Sequence, residues 1–236
     1  MEAANRIVAE VLAEVKSHIH PEVETRELDE VAEACCRKHK VKPAFKGYRG
    51  FPRALCVAVN EEVVHGIPGA RKLKSGDLVG LDFGVLYDGF YGDAAITVPV
   101  GEVTPQAQLL LQATEESLYA GIEQMKVGEH LSDISHAIQT TVEKYGFAVI
   151  RHFVGHGIGR SLHEDPQIPN FGPKGRGPVL KAGMTLAIEP MTSAGSWEVK
   201  VLDDGWTAVT ADNSLSAHFE HTVALTEKGP LILSRL

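Results

Sequence analysis

Two distant stretches of this chain share one outline. Leu73 to Asp82 reads LKSGDLVGLD, and Leu180 to Glu189 reads LKAGMTLAIE. Both follow Leu-Lys-small-Gly-x-x-apolar-x-apolar-carboxylate without a gap, so two turn-and-strand units each deliver an acid at the same point. The pattern predicts a duplicated half-domain whose related carboxylates face each other. Around this frame, Ile7, Val8, Val11, Leu12 and Val15 keep helical spacing, and a second helix is expected with Thr25 as N-cap and Leu28, Val31, Ala32 and Cys35 inward. Residues 41–52, carrying Pro43, Gly47, Gly50 and Pro52, read as a loop, followed by strands near 55–60, 78–85 and 94–100. Helices are expected from Pro105, after Thr104, to about Met125, and from Ser132 to Tyr145, closed by Gly146. The remainder reads as β.

Successive side chains on a strand alternate faces, yet Asp82 falls amid Leu81, Phe83 and Val85. Asp93 in GFYGDAAITV, Glu189 in LAIEPM and Glu220 in SAHFEHTVAL repeat the situation. A buried carboxylate needs a cationic partner, a shifted pKa or a metal. Lys74, Lys200 and Arg160 lie outside or at the ends of these runs, so a multivalent cation is the economical partner for four such acids. RHFVGHGIGRSLHEDP adds His152, His156 and His163, and Gly155, Gly157 and Gly159 leave the ring of His156 uncrowded and let the backbone turn tightly. Two Asp, two Glu and one His form an oxygen-dominated set too negative for one ordinary zinc site. A pair of divalent ions suits it, and metal-assisted hydrolysis is the chemistry expected.

Other chemistries fit less well. The segment has no His-Glu-x-x-His, its glycines run G-x-G-x-G rather than in the dinucleotide fingerprint, and no Gly-x-Ser-x-Gly elbow is present. Cys35 and Cys36 are adjacent, and three cysteines make a poor disulfide framework, so reduced core thiols are expected. A formal charge of −8, from 31 acids against 23 bases, argues against a phosphate-tracking surface, and nucleic acid is not the expected substrate. The longest apolar runs, such as 54–59, fall far short of the roughly 18 residues that cross a bilayer. The first residues read as an amphipathic helix with Glu2 where a secretory signal carries basic charge, so cytoplasmic residence is expected.

The stretches VNEEVVHGIP, LDFGVLYDGFYGDAA, GHGIGRSLHEDPQIPN, MTLAIEPM and DGWTAVTADNSLSAHFEHT, in this order over nearly the whole chain, resemble the type I methionine aminopeptidases. The resemblance implies an α+β, pita-bread (creatinase/aminopeptidase-like) fold: one domain over 1–236, with pseudo-symmetric halves of roughly 1–125 and 126–236 and helices outside a curved antiparallel sheet. It implies two divalent ions (Co, Mn, Fe, Zn or Ni) on Asp82, Asp93, His156, Glu189 and Glu220. By the same resemblance a water shared by the ions attacks the carbonyl after an N-terminal methionine when the second residue is small. Glu189 is then general base, His163 meets the carbonyl or oxyanion, and His65 meets the scissile nitrogen. The methionine pocket is carried over to Tyr48, Phe51, Cys56 and Trp206, with Phe45 as a wall where many members carry a smaller residue. A monovalent cation (Na or K) near Asn60 and Ser216 is also implied.

The expected partners are the N-terminal peptides of nascent proteins and, through the catalytic domain's own surface, the ribosome. The sequence opens close to its first helix, without the zinc-finger or basic extension of eukaryotic forms, and a minimal bacterial-type enzyme is expected. Two other readings share the fold: an Xaa-Pro aminopeptidase or prolidase, which usually carries a large N-terminal domain and lacks the Glu220–Thr222 EHT, and a non-catalytic binding protein, which would have lost ligands.

Overall fold

A computed structural model describes residues 1–235. Its helices are α1 (Glu2–Ser17), α2 (Thr25–His39), α3 (Pro105–Glu123) and α4 (Leu131–Lys144). The strands of the first part are β1 (Lys42–Pro43), β2 (Leu55–Val59), β3 (Glu62–Val64), β4 (Leu78–Tyr87) and β5 (Phe90–Pro99). After α4 come β6 (Ala148–Val149), β7 (Gly155–Gly157), β8 (Glu164–Ile168), β9 (Thr185–Ile188), β10 (Met191–Ser193), β11 (Val199–Val201), β12 (Ala208–Thr210), β13 (Ser216–His218), β14 (Glu220–Thr226) and β15 (Gly229–Ile232). No helix among the described residues is long and apolar enough to cross a membrane.

The main sheet is antiparallel, with β4, β5, β14 and β9 side by side at its centre. Alternation along β4 decides what each face carries. Val79, Leu81, Phe83 and Val85 are fully buried against α1 and α2, which leaves Gly80, Asp82 and Gly84 on the opposite, concave face. The second helix pair repeats this arrangement: Leu110, Ile134, Ile138 and Val142 pack with Leu186, Ile188 and Val223 behind β9 and β14. Each helix pair therefore backs one strand pair, the α+β pita-bread architecture expected from the sequence. Residues of α3 pack with α4 in the second core.

Local expectations hold where one residue controls the backbone. Thr104 caps α3 by accepting from the Ala107 amide at 3.2 Å, Pro105 opens the helix, and Gly146 after α4 has φ +80°. The start of α2 differs. Glu24 is the N-cap, in a reciprocal capping box with Glu27, while the Thr25 hydroxyl faces the loop, accepting from the Gly69 amide at 2.9 Å. A tertiary partner thus takes the hydroxyl from its local role. Cys36 rather than Cys35 reaches the core with Leu28 and Ala32, and Val31 and Cys35 lie at its margin. Residues 41–52 are not all loop: Lys42 and Pro43 pair with Leu86 and Val85 on β4, and Tyr48–Gly50 form a single 3-10 turn.

Candidate metal centre

One row of residues crosses the concave face. Asp82 on β4 is opposite Ala95 on β5, and Ala95 is opposite Glu220 on β14. Asp93, two residues before Ala95, points to the same side. On the other half, His221 pairs with Ile188, so Glu189, just past the end of β9, comes beside Glu220. His156 on β7 is opposite Ala187 of β9, and its side chain reaches the same place. Ala95 contributes only a methyl, so the longer carboxylates to either side lean over it. Gly84, opposite Asp93, serves the same end, since a Cβ there would sit 3.1 Å from Asp93 Oδ1 and 3.0 Å from the Phe45 ring.

Asp93, His156 and Glu220 offer ligand atoms within 4.8 Å of one another and are 4%, 6% and 2% exposed. Asp82 and Glu189 are half-buried and line, with the other three, one cavity of about 170 Å³. Burial, with the neighbouring acids second, holds Asp93, Glu189 and Glu220 well above their ordinary carboxylate range. Burial alone raises Asp82 to about 7. Asp82 Oδ1, Asp93 Oδ1 and Glu220 Oε1 are buried without a hydrogen-bond partner. Such orphaned acceptors cost stability unless a cation meets them.

The histidine is set to help. The Gly157 carbonyl takes the Nδ1–H of His156 at 2.9 Å, leaving Nε2 with a lone pair that lies 3.6 Å from Glu189 Oε1. An ionised Glu189 facing that lone pair needs a positive charge between them. Burial keeps His156 down to about 4, so the imidazole does not supply that charge at neutral pH. The donor set therefore fits a divalent cation, with Asp93, His156 and Glu220 already within ligand distance of one another and Asp82 and Glu189 on the same cavity.

Gly155 and Gly157 serve a different purpose from the tight turn expected. Neither has a positive φ; both are in strand β7, where a Cβ would overlap the carbonyl oxygen of Ala187 or of Asp165 on the neighbouring strands. They permit close strand approach on both sides of His156. Gly157→Ala is expected to lower stability by about 1–3 kcal/mol, the usual cost of overpacking against atoms that cannot move aside. Urea unfolding of the metal-free protein measures this, and an unchanged midpoint would refute the packing argument.

Above the acids, Phe45, Tyr48, Phe51, Cys56 and Trp206 line the cavity, with His65, His163, Arg49 and Leu162. Phe51 and Trp206 meet edge to face at 5.1 Å. The Cys56 thiol is pushed well above its ordinary range by burial and by Asp82, so it is packing rather than nucleophile. Tyr48 Oη and His163 Nδ1 are 2.8 Å apart, and the His163 ring is 4.3 Å from that of His156. His65 takes a left-handed φ of +60° and meets Trp206 and Phe153 edge-on. Burial, with His163 second, lowers His65 to about 4; burial, with Arg49 second, lowers His163 as well.

Asn60 and Ser216 are adjacent, the Ser216 amide donating to the Asn60 carbonyl at 2.8 Å. His152 stands apart from the cavity residues, stacked on Trp197. Sequence reasoning missed Arg49 and His218. The one signal for His218 was its position two residues before Glu220.

The pattern of metallopeptidase family M24 matches residues 1–227. The chain is 55% identical over 236 residues to methionine aminopeptidase 1 of Bacillus subtilis (strain 168), covering all of this chain and 95% of that one. The crystal structure of methionine aminopeptidase from Thermotoga maritima superimposes with a TM-score of 0.98 at 52% identity, covering 100% of this chain and 95% of that one. The prolidase from Pyrococcus furiosus reaches a TM-score of 0.81 at 23% identity, with 62% of its length covered, a likeness of fold alone.

Proposed function

The chain belongs to metallopeptidase family M24 as a methionine aminopeptidase, and from that premise we propose that it removes the N-terminal methionine of nascent proteins with two divalent ions when the second residue is small. The observation that carries this reading is the convergence of Asp82, Asp93, His156, Glu189 and Glu220 on the floor of a cavity walled by Phe45, Tyr48, Phe51, Cys56 and Trp206. When bound, the ions supply Lewis-acid polarisation of the scissile carbonyl and lower the pKa of the attacking water.

The protein's own groups do the rest. The aromatic wall and Cys56 take the methionine side chain, which leaves its free amine beside the acids that would hold the ions. Glu189 takes a proton from the attacking water and returns it to the leaving nitrogen. His163, oriented by Tyr48, donates towards the developing oxyanion, and His65 meets the scissile amide nitrogen. His65, His163 and Trp206 line the same cavity of about 170 Å³, which leaves little room for a large second side chain. A monovalent cation, Na or K, would bind where Asn60 meets Ser216. The setting we propose is the cytoplasm, where nascent chains are made and the free thiols of Cys35, Cys36 and Cys56 stay reduced, with the ribosome as partner.

Met-Ala-Ser is expected to be cleaved at least about tenfold faster than Met-Lys-Ser, the discrimination a tight apolar site gives for side-chain bulk. Ala-Pro peptides should be left intact. Equal rates for the two Met peptides would remove the size selection, and exclusive cleavage of Ala-Pro would make the protein a proline-specific exopeptidase instead.

A further inference from the structure

His218 lies at the end of β13, 4% exposed, and its Nε2 has no hydrogen-bond partner. A buried polar nitrogen is normally satisfied, so this one calls for a partner. Glu189 Oε2 stands 3.7 Å from it, while the other oxygen of the same carboxylate stands 3.6 Å from His156 Nε2. Glu189 is thus held between two imidazoles that face its two oxygens. They play different parts: His156 turns a lone pair to the carboxylate, because its proton is committed to the Gly157 carbonyl. A donor at His218 Nε2 would hold Oε2 apart from Oε1.

Both backbones are anchored. Thr97 Oγ1 donates to the His218 carbonyl at 2.7 Å and accepts from its amide at 2.9 Å, and His218 pairs with Met191 on β10. Asn170 Nδ2 donates to the Glu189 carbonyl at 2.9 Å. The present gap exceeds hydrogen-bond range, but the terminal torsion of a glutamate is broad, so a small rotation closes it.

We propose that His218 is a positioning residue for Glu189, its Nε2–H donating to Oε2 so that Oε1 is turned to the His156 side of the cage. This rests on the reading of Glu189 as metal ligand and proton carrier. The arrangement is the familiar one in which an outer donor orients an inner carboxylate, whose removal typically weakens metal affinity or activity 10–100-fold.

The test compares H218L, which keeps bulk without a donor, with H218Q, whose amide nitrogen reaches about where Nε2 stands. H218N, whose amide falls short of that point, is a second variant should H218L not fold. Each is stripped with a chelator, titrated calorimetrically with Mn²⁺, and then assayed on Met-Ala-Ser. H218L and H218N are expected to lose roughly tenfold or more in affinity for one of two ions and in kcat with little change in KM, while H218Q stays within about threefold of the parent. Parent-like behaviour of H218L and H218N overturns the proposal, and so does an H218Q as impaired as they are. E189Q separates the two readings. If it is impaired while H218L and H218N are not, only the role of His218 fails; if E189Q is itself unaltered in both readouts, the Glu189 reading is at fault and the proposal falls with it.

Discussion

Asp93→Ala is expected to reduce turnover of Met-Ala-Ser by on the order of 10³-fold or more, since metal polarisation is worth several kcal/mol and about 1.4 kcal/mol is a tenfold rate change. Asp93 is chosen for its place in the row. It is buried between the halves, has an unpartnered oxygen, and lies within ligand distance of both His156 and Glu220. Its removal deprives both halves of a shared carboxylate. Misfolding is not the expected cause of the loss, because the carboxyl makes no hydrogen bond that the fold depends on. The Thr222 hydroxyl that ties β14 to β5 binds the Asp93 backbone carbonyl, at 2.7 Å, rather than its side chain. Metal analysis should find fewer ions per chain, and circular dichroism should be unchanged. Undiminished turnover would remove Asp93 from the site.

The metal-free protein is expected to lose stability as pH rises above about 6.5, and saturating Mn²⁺ should flatten that loss. Asp82, Asp93, Glu189 and Glu220 all have folded pKa values raised above 3.8 or 4.5, Asp82 to about 7 and the others well above their ordinary range. Between the unfolded and folded values the native state holds protons that the unfolded chain has released, so unfolding becomes easier with each step up in pH. The buried histidines act the other way. His65, His156 and His221 are lowered from 6.5 to about 4 and His218 to about 3, so they add stability as pH rises towards 6.5 and nothing beyond it. Above that point the acids are unopposed, each retained proton costing about 1.4 kcal/mol per pH unit at full occupancy. Thermal unfolding of chelator-treated protein at pH 6.5 and 8.0 reads the slope. A melting temperature that holds or rises at pH 8.0 would mean that the acids do not share a buried site.

Much of the fold, and the four acids and His156 of the candidate site, were legible in the sequence because they rest on short-range rules, whereas Phe45, Tyr48, Phe51, Cys56, His65, His163 and Trp206 were reached only through the family resemblance. The alternation that placed Leu81, Phe83 and Val85 on the helix side necessarily put Asp82 on the other. The LKSGDLVGLD and LKAGMTLAIE repeat pointed to matched acids, and β4 and β9 lead to them in the two halves. Thr104, Pro105 and Gly146 marked helix ends because each acts on its own backbone. The misreadings arose where a distant partner intervened: Gly69 took the Thr25 hydroxyl, and β4 drew Lys42 and Pro43 into the sheet.

Residue types and their spacing, on their own, determined that acids and an imidazole would stand in apolar strands, a charge deficit that asks for divalent ions. Closure of the two halves decided the rest: which carboxylate oxygens are left without partners, why no Cβ can flank His156, and that His218, marked in the sequence only by its place two residues before Glu220, faces Glu189. The physical reason is range. Backbone periodicity acts over a few residues and is written in the chain, whereas contacts between β13 and the end of β9 exist only once the sheet has brought distant segments together.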